Sequence, residues 1–172
     1  MCDTADKIDP NRGKYIDGYS KMFGYGRINA YKALKAVKDD MENSSRGIVE
    51  KNILSGVAIP DNDLNGIVSE IQIDEEGIVE SVEAVSVDIS HTYIGDLFVS
   101  LVSPDNTVIP LHEGEGGGKD NLSETYDSKN KPELKQFEGK SIKGKWQLKI
   151  VDKWAQDRGT LNNWGLKIKV KT

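Results

Sequence analysis

Two histidines, His91 and His112, are the imidazole bases that this sequence offers for catalysis. A serine hydrolase needs a nucleophile, a base and an orienting acid within reach of one another. No serine follows the nucleophile-elbow pattern, and the one cysteine, Cys2, has no partner residue beside it. We therefore expect no catalytic residue in this chain. His91 is expected to be a hydrogen-bonded structural residue, and His112 is expected at the surface.

Nucleotide and zinc chemistry are also disfavoured. The glycine-rich segment 114–118 is not followed by the Lys-Ser/Thr pair of a phosphate-binding loop. A zinc site needs several His or Cys ligands at suitable spacing, and two histidines with one cysteine do not supply them.

Acidic and amide side chains near turns predict a calcium site instead. Ca²⁺ takes six to eight oxygen ligands from Asp, Glu, Asn and backbone carbonyls. Asp96 lies in a tight turn, and Asp120, Asn121 and Asp127 lie in the Gly-rich and acidic stretch 110–144. This stretch is predicted to be a long loop that is either mobile or held in place, for example by a bound ion. Asp152 and Asp157 flank another loop near a strand end. We predict Asp96, Asp120, Asn121 and Asp127 as Ca²⁺ ligands. The alternative is that they are ordinary turn and capping residues, a role that Asp and Asn favour.

The elements that would position these residues are mostly strands. Apolar and polar residues alternate in short runs at 67–73, 85–89, 97–102, 146–150 and 164–170. Such alternation is typical of a sheet buried on one face. Several strands without intervening helices predict an all-β sandwich or jelly roll. Trp146 and Trp164 fall on the apolar side of their strands and are expected in the core.

A helix is predicted before the strands. Ile28, Tyr31 and Leu34 recur at helical spacing, which predicts an α-helix from Ile28 to about Asp40. The polar segment 41–48 is predicted to be a linker.

The composition of the chain disfavours some classes of binding partner. The chain has 172 residues, a hydrophobic fraction of 37% and a formal net charge of -5. These values favour a folded domain, and the absence of a basic patch disfavours nucleic acid as a partner. No apolar run of the sequence approaches the roughly 20 residues that span a membrane.

Two segments carry a resemblance to known families. Thr4 to Val37, with the motif GYGRINAYKALKAV, resembles the last segment of the catalytic domain of subtilisin-like serine proteases. Ile67 to Val170 resembles the P domain, also called P/Homo B, that follows the catalytic domain in proprotein convertases and many bacterial subtilases. The matching residues are His91, Thr92, Gly95, Asp96, Leu97, Leu101, Ser103, Pro104, Thr107, Gly144, Trp146, Leu148, Asp152, Gly159, Thr160, Leu161, Trp164 and Leu166.

The resemblance implies an eight-stranded jelly roll over residues 46–172, preceded by a remnant of the catalytic domain and a linker over residues 1–45. The parent protein would be a secreted, bacterial, calcium-dependent serine endopeptidase. Its catalytic residues would lie upstream of Thr4, so this chain would not itself be an enzyme. The P domain would pack against the catalytic domain and support its folding, stability and calcium response.

Two further hypotheses stay open at this stage. The sandwich could be a protein- or glycan-binding module, because jelly rolls also occur in lectins; Tyr93, Tyr126 and Trp154 are its candidate loop aromatics. The apolar face of the predicted N-terminal helix lacks a partner within the chain, so self-association through this helix is also expected.

Overall fold

The structure is a computed structural model that describes residues 4–45 and 47–171. The chain divides into two compact units, Met1–Arg46 and Gly47–Thr172. The first unit consists of turns and helices, and the second consists of strands.

The second unit forms eight strands within residues 47–171. They are β1 (Ile48–Ile59), β2 (Asp63–Ile73), β3 (Ile78–His91), β4 (Leu97–Val102), β5 (Val108–Glu113), β6 (Leu122–Tyr126), β7 (Gly144–Asp152) and β8 (Gly159–Lys171). Two 3-10 segments, Ile94–Asp96 and Pro132–Phe137, lie in the connections.

These strands form two antiparallel sheets with the orders β1-β8-β3-β6 and β2-β7-β4-β5. β1 pairs with β8, β2 with β7, β3 with β6 and β4 with β5, so the chain follows one long ribbon that folds back between β4 and β5. The pairings β3–β8 and β4–β7 then join the rolled ribbon into two sheets. This topology is a jelly roll, which confirms the predicted fold class.

The core lies between the two sheets, where the alternating apolar residues meet. Trp146 and Trp164 are fully buried, as predicted. The indole N–H of Trp146 donates to the carbonyl of Ile142 at 2.9 Å, and that of Trp164 donates to Ser69 Oγ at 2.9 Å. Both large rings therefore fill the interior without leaving a polar group unpaired.

The first unit contains two helices, α1 (Pro10–Gly13) and α2 (Ala30–Ser45). Asn29 begins α2, because its Oδ1 accepts from the Lys32 N–H at 2.9 Å. Neither helix within the described ranges is long and apolar enough to cross a membrane.

Two expectations about element boundaries are wrong. The helix continues through Ser45 instead of ending near Asp40, so most of the predicted linker 41–48 is helical. The stretch 110–144 is not a structureless loop, because it contains β6 and the 3-10 segment Pro132–Phe137. Its short elements carry too few alternating residues to give a clear period.

Candidate functional site

A buried His-Asp pair lies where β3 and β7 end, at one end of the sandwich. His91 Nε2 lies 3.2 Å from Asp152 Oδ2, and both side chains are fully buried. His91 Nδ1 accepts from the Tyr93 backbone N–H at 3.1 Å, so the ring proton is assigned to Nε2, which donates to Asp152. Because β3 and β7 belong to different sheets, this bond links the two layers of the sandwich. Neither ring nitrogen is free to act as a general base.

Asp96 lies beside this pair, at the end of the 3-10 turn that leads into β4. The turn fixes its backbone: the Asp96 N–H donates to the Tyr93 carbonyl at 3.2 Å, and the Asp96 carbonyl accepts from the Lys153 N–H at 3.0 Å. The residue is only 8% exposed. Burial raises the pKa of its carboxyl, and the negative charges of Asp152 and Asp157 raise it further.

The loop 153–158, between β7 and β8, is held against this end by carboxylates. Asp152 Oδ1 accepts from the Trp154 N–H at 3.3 Å, and Asp157 Oδ1 accepts from the Thr92 hydroxyl at 2.6 Å. Asp61, in the β1–β2 turn, accepts from the Gln156 N–H at 3.2 Å. We call the four aspartates Asp61, Asp96, Asp152 and Asp157 the acidic loop cluster.

Two of the predicted calcium ligands lie next to the His-Asp pair. Asn121 Oδ1 accepts from the His91 N–H at 3.1 Å, and the Asn121 N–H donates to the His91 carbonyl at 2.9 Å. Asp120 and Asn121 also line a surface cavity of about 260 Å³ together with His91 and Arg158. Asn121 therefore continues the pairing of β3 and β6 by one more residue, and its side-chain amide has a structural role.

Asp127 lies at the other end of β6. Its Oδ1 accepts from the N–H groups of Lys129 and Asn130 at 2.8 and 3.0 Å, and these bonds lower the pKa of its carboxyl. Strand β6 separates Asp127 from Asn121 by about 20 Å, at about 3.3 Å per residue. A calcium ion binds its ligands at about 2.3–2.6 Å, so the predicted four residues do not come together around one ion.

In residues 4–45 and 47–171, no three His, Cys, Asp or Glu side chains are arranged to hold a metal ion. Asp96 is the one of the four predicted ligands that is buried, and its charged neighbours include three more carboxylates. Hard cations such as Ca²⁺ favour oxygen donors of this kind.

Two other predicted positions have different outcomes. His112 is 5% exposed instead of lying at the surface: Nε2 donates to the Ile94 carbonyl at 2.9 Å, and Nδ1 lies 3.3 Å from Glu115 Oε2. Cys2 lies outside the described residues. The sequence indicated Asp152 and Asp157 as residues that flank a loop near a strand end, but it did not single out Asp61, which looks like an ordinary turn residue.

The jelly roll of residues 47–171 belongs to a known class of domain. A family model described as the proprotein convertase P-domain matches residues 79–168, more than half of the chain. The chain is a member of this family, which confirms the resemblance.

Two protease relatives match along nearly the whole chain. The chain is 39% identical to the "Calcium-dependent protease" of Trichormus variabilis, over 93% of this chain and 24% of that protein. It is 28% identical to the "Extracellular basic protease" of Dichelobacter nodosus, over 95% of this chain and 27% of that protein. The chain therefore spans about a quarter of the length of these relatives.

A solved structure shares the fold. The serine protease of Aeromonas sobria, in a crystal structure with its chaperone, matches 90% of this chain and 32% of its own chain with a TM-score of 0.57. The two sequences are 21% identical over the match, so the comparison supports the fold alone.

Proposed function

We propose that Gly47–Thr172 is the non-catalytic C-terminal P domain of a secreted, subtilisin-like serine endopeptidase, and that it supports the folding and stability of that protease. The observation that carries the proposal is the match of the P-domain family model to residues 79–168. The occupied nitrogens of His91 agree with a domain whose polar residues hold loops together instead of reacting with a substrate.

Met1–Arg46, in this proposal, is the end of the catalytic domain. The match to the Trichormus variabilis protease covers 93% of the chain, and Gly47–Thr172 makes up less than three quarters of it, so the match extends into the first unit. Apolar side chains there are unusually exposed: Ile16 76%, Met22 70%, Ile28 87%, Tyr31 75% and Leu34 70%. Burying such side chains against the rest of a catalytic domain would stabilise both Met1–Arg46 and that domain.

The physical basis of the proposed support is linkage between binding and folding. A domain that docks on the folded catalytic domain, and not on the unfolded one, raises the free energy of unfolding of the protease. For a tethered domain, the effective concentration is on the order of millimolar, so even a weak contact contributes.

Calcium response and secretion belong to the same proposal. One relative is named a calcium-dependent protease and the other an extracellular protease. Calcium sites of extracellular modules bind with a Kd of about 10⁻⁴–10⁻³ M, so they fill outside the cell and not in the cytosol. A P domain with such a site would gain stability from Ca²⁺ only after secretion.

A labelling experiment tests the non-catalytic part of the proposal. We expect the purified chain to hydrolyse no casein and to show no labelling by a fluorophosphonate probe for activated serines, with subtilisin as the positive control. Stoichiometric labelling of this chain, retained after a second purification, would contradict it.

Exposed loop aromatics are the observation that favours the alternative, a glycan- or protein-binding module. Trp154 is 63% exposed and Tyr93 is 41% exposed. Tyr126, the third candidate, is instead partly buried against the core, so it is not a loop aromatic. A glycan-array signal that disappears in Trp154→Ala would favour this second function.

A further inference from the structure

One sheet of the sandwich ends in a long and regular strand with an open edge. β1 is the outermost strand of the sheet β1-β8-β3-β6, and no strand of the described residues pairs with its other edge. From Ile48 to Leu54 it pairs with β8 without a register shift, and the bulge around Gly56 follows. We call residues 48–54 the β1 edge segment. At about 3.3 Å per residue, it presents about 23 Å of backbone to which another strand can pair.

The β1 edge segment has uncovered apolar side chains on both of its faces. On the outer face, Leu54 is 89% exposed and Ile48 is 38% exposed. On the inner face, Val49 and Ile53 pack against the core but are only partly buried. A strand added beside β1 would cover apolar residues on both faces and would pair with the open backbone edge.

The order of the side chains indicates that the added strand is a second copy of this one. The segment IVEKNIL has two apolar residues at each end and a polar residue on each side of Lys51. If two copies run antiparallel with Lys51 opposite Lys51, the opposing pairs are Ile48 with Leu54, Val49 with Ile53 and Glu50 with Asn52. Each apolar residue then meets an apolar residue on the same face of the sheet.

The charges of the segment are compatible with this register. Lys51 Nζ lies 2.6 Å from Glu75 Oε1, and Lys167 Nζ lies 3.2 Å from Glu50 Oε2. Each of the two facing lysines therefore brings its own carboxylate, and these four charges sum to zero. Other registers fit less well: a shift by two residues places Glu50 opposite either Glu50 or Leu54, and a shift by one turns the apolar residues to opposite faces.

We propose that the chain forms a two-fold dimer in which the β1 edge segments of two copies pair antiparallel, centred on Lys51. The pairing joins two four-stranded sheets into one continuous sheet of eight strands. Both copies use the same segment, so the contact closes at two copies and does not continue into a fibre. This surface is distinct from α2, through which association is also expected, and it does not depend on the protease assignment.

Sedimentation velocity of the full chain tests this surface. All samples carry Leu34→Glu, so that association through α2 does not contribute. We expect a dimer whose population rises with protein concentration. Leu54→Lys should weaken it at least tenfold, because the lysine would face an apolar side chain across the pair. Leu64→Lys is the control: Leu64 is 70% exposed and lies in β2, so the dimer should be unchanged.

Disulfide cross-linking tests the register. In a chain with Cys2→Ser, Lys51→Cys places the two cysteines directly opposite each other, about 5 Å apart between Cα atoms, which is within the range of a disulfide. Glu50→Cys places them diagonally, roughly 8 Å apart, which is too far. Under mild oxidation, we expect at least fivefold more covalent dimer from Lys51→Cys than from Glu50→Cys.

Three results would overturn the proposal. A chain with Leu34→Glu that stays monomeric at high concentration would mean that this edge is free or is covered by a different polypeptide. Equal dimerisation of Leu54→Lys and Leu64→Lys would place the interface elsewhere. Equal cross-linking of Glu50→Cys and Lys51→Cys would contradict a pairing centred on Lys51.

Discussion

At the scale of single residues, the buried tryptophans show how the interior accommodates polar atoms. Trp146 is fully buried, packs edge-on against Phe137 with 5.1 Å between ring centres, and donates its N–H to the Ile142 carbonyl. Phe137 and Ile142 lie outside the strands, so this ring also fixes the long connection between β6 and β7 on the core.

Removing this ring should destabilise the domain strongly. We expect Trp146→Ala to lower the free energy of unfolding by roughly 3–5 kcal/mol, because a large cavity is left and a buried carbonyl loses its donor. Chemical denaturation measures the change. Trp154→Ala is the control: its ring is exposed, so the expected change is within about 0.5 kcal/mol. Equal effects of the two substitutions would contradict the burial described.

Tyr126 provides a pH-dependent test at the same scale. Burial raises the pKa of its phenol to about 12, with smaller contributions from the charges of Glu124 and Glu115. Because the folded protein holds this proton more tightly than the unfolded chain, stability should fall as pH rises from about 10 to about 12. Ultraviolet titration should show one of the six tyrosines ionising last, and Tyr126→Phe should remove that step. A Tyr126 that ionises together with the exposed tyrosines would refute the assignment.

Residue types predicted the burial of apolar side chains better than the use of polar ones. Trp146 and Trp164 were placed correctly because the period of two assigns each to one face. Asp127 was not, because an aspartate that caps a turn and one that binds an ion look the same in sequence. His112 was placed wrongly, because its buried partner, the Ile94 carbonyl, comes from a distant connection.

At the scale of elements, bulges in the edge strands β1 and β2 depend on glycine. Gly56 and Gly66 have φ angles of 64° and 60°, in the left-handed region. The pairing register shifts around each of them. Their surroundings differ: a Cβ at Gly66 would lie 1.9 Å from the Ile150 carbonyl oxygen, whereas a Cβ at Gly56 would meet nothing within 4 Å.

The two glycines form a matched pair for mutagenesis. Gly56→Ala should cost about 1–2 kcal/mol, since only the backbone conformation is unfavourable for alanine. Gly66→Ala should cost about 1–3 kcal/mol more, because the methyl group also clashes with the backbone of β7. Denaturant unfolding of both variants checks the difference, and equal costs would show that the β2 bulge relaxes freely.

The sequence predicted the central strands more successfully than the peripheral ones. β3, β4, β7 and β8 alternate clearly because the sandwich buries one face of each. β5 breaks its alternation, because the neighbouring residues Leu111 and His112 are both buried, and β6 has only five residues. The topology itself could not be derived from alternation and came only from the family resemblance, which the strand pairings confirm.

At the scale of the whole molecule, the two units differ in how they are stabilised. The hydrophobic core that the structure describes consists of residues between Ile59 and Val170, all in the second unit. The first unit keeps its shape through polar contacts, such as Lys32 Nζ to Asp6 Oδ1 at 2.6 Å, while its apolar residues stay exposed. Exposed apolar surface of this kind favours association.

Self-association through α2 is therefore expected when the purified chain has no other partner. Sedimentation velocity should show a concentration-dependent dimer for the full chain. Leu34→Glu should weaken it, because Leu34 is 70% exposed on the apolar stripe with Tyr31. Lys35→Glu, one position along and off the stripe, is the control and should leave the dimer intact. A full chain that stays monomeric at high concentration would contradict this expectation.

The central claim is that this chain contains a P domain that supports a protease. It can be tested by placing this domain in a related protease. In the Trichormus variabilis protease, the segment that matches residues 47–172 would be replaced by those residues, with deletion of the segment as the comparison. The measurement is the half-life of peptidase activity of the secreted protein at raised temperature. We predict that the peptidase activity of the chimera has a half-life close to that of the natural protease, while the deletion variant loses its activity rapidly. A chimera as short-lived as the deletion variant, although residues 47–172 are folded within it, would contradict the account.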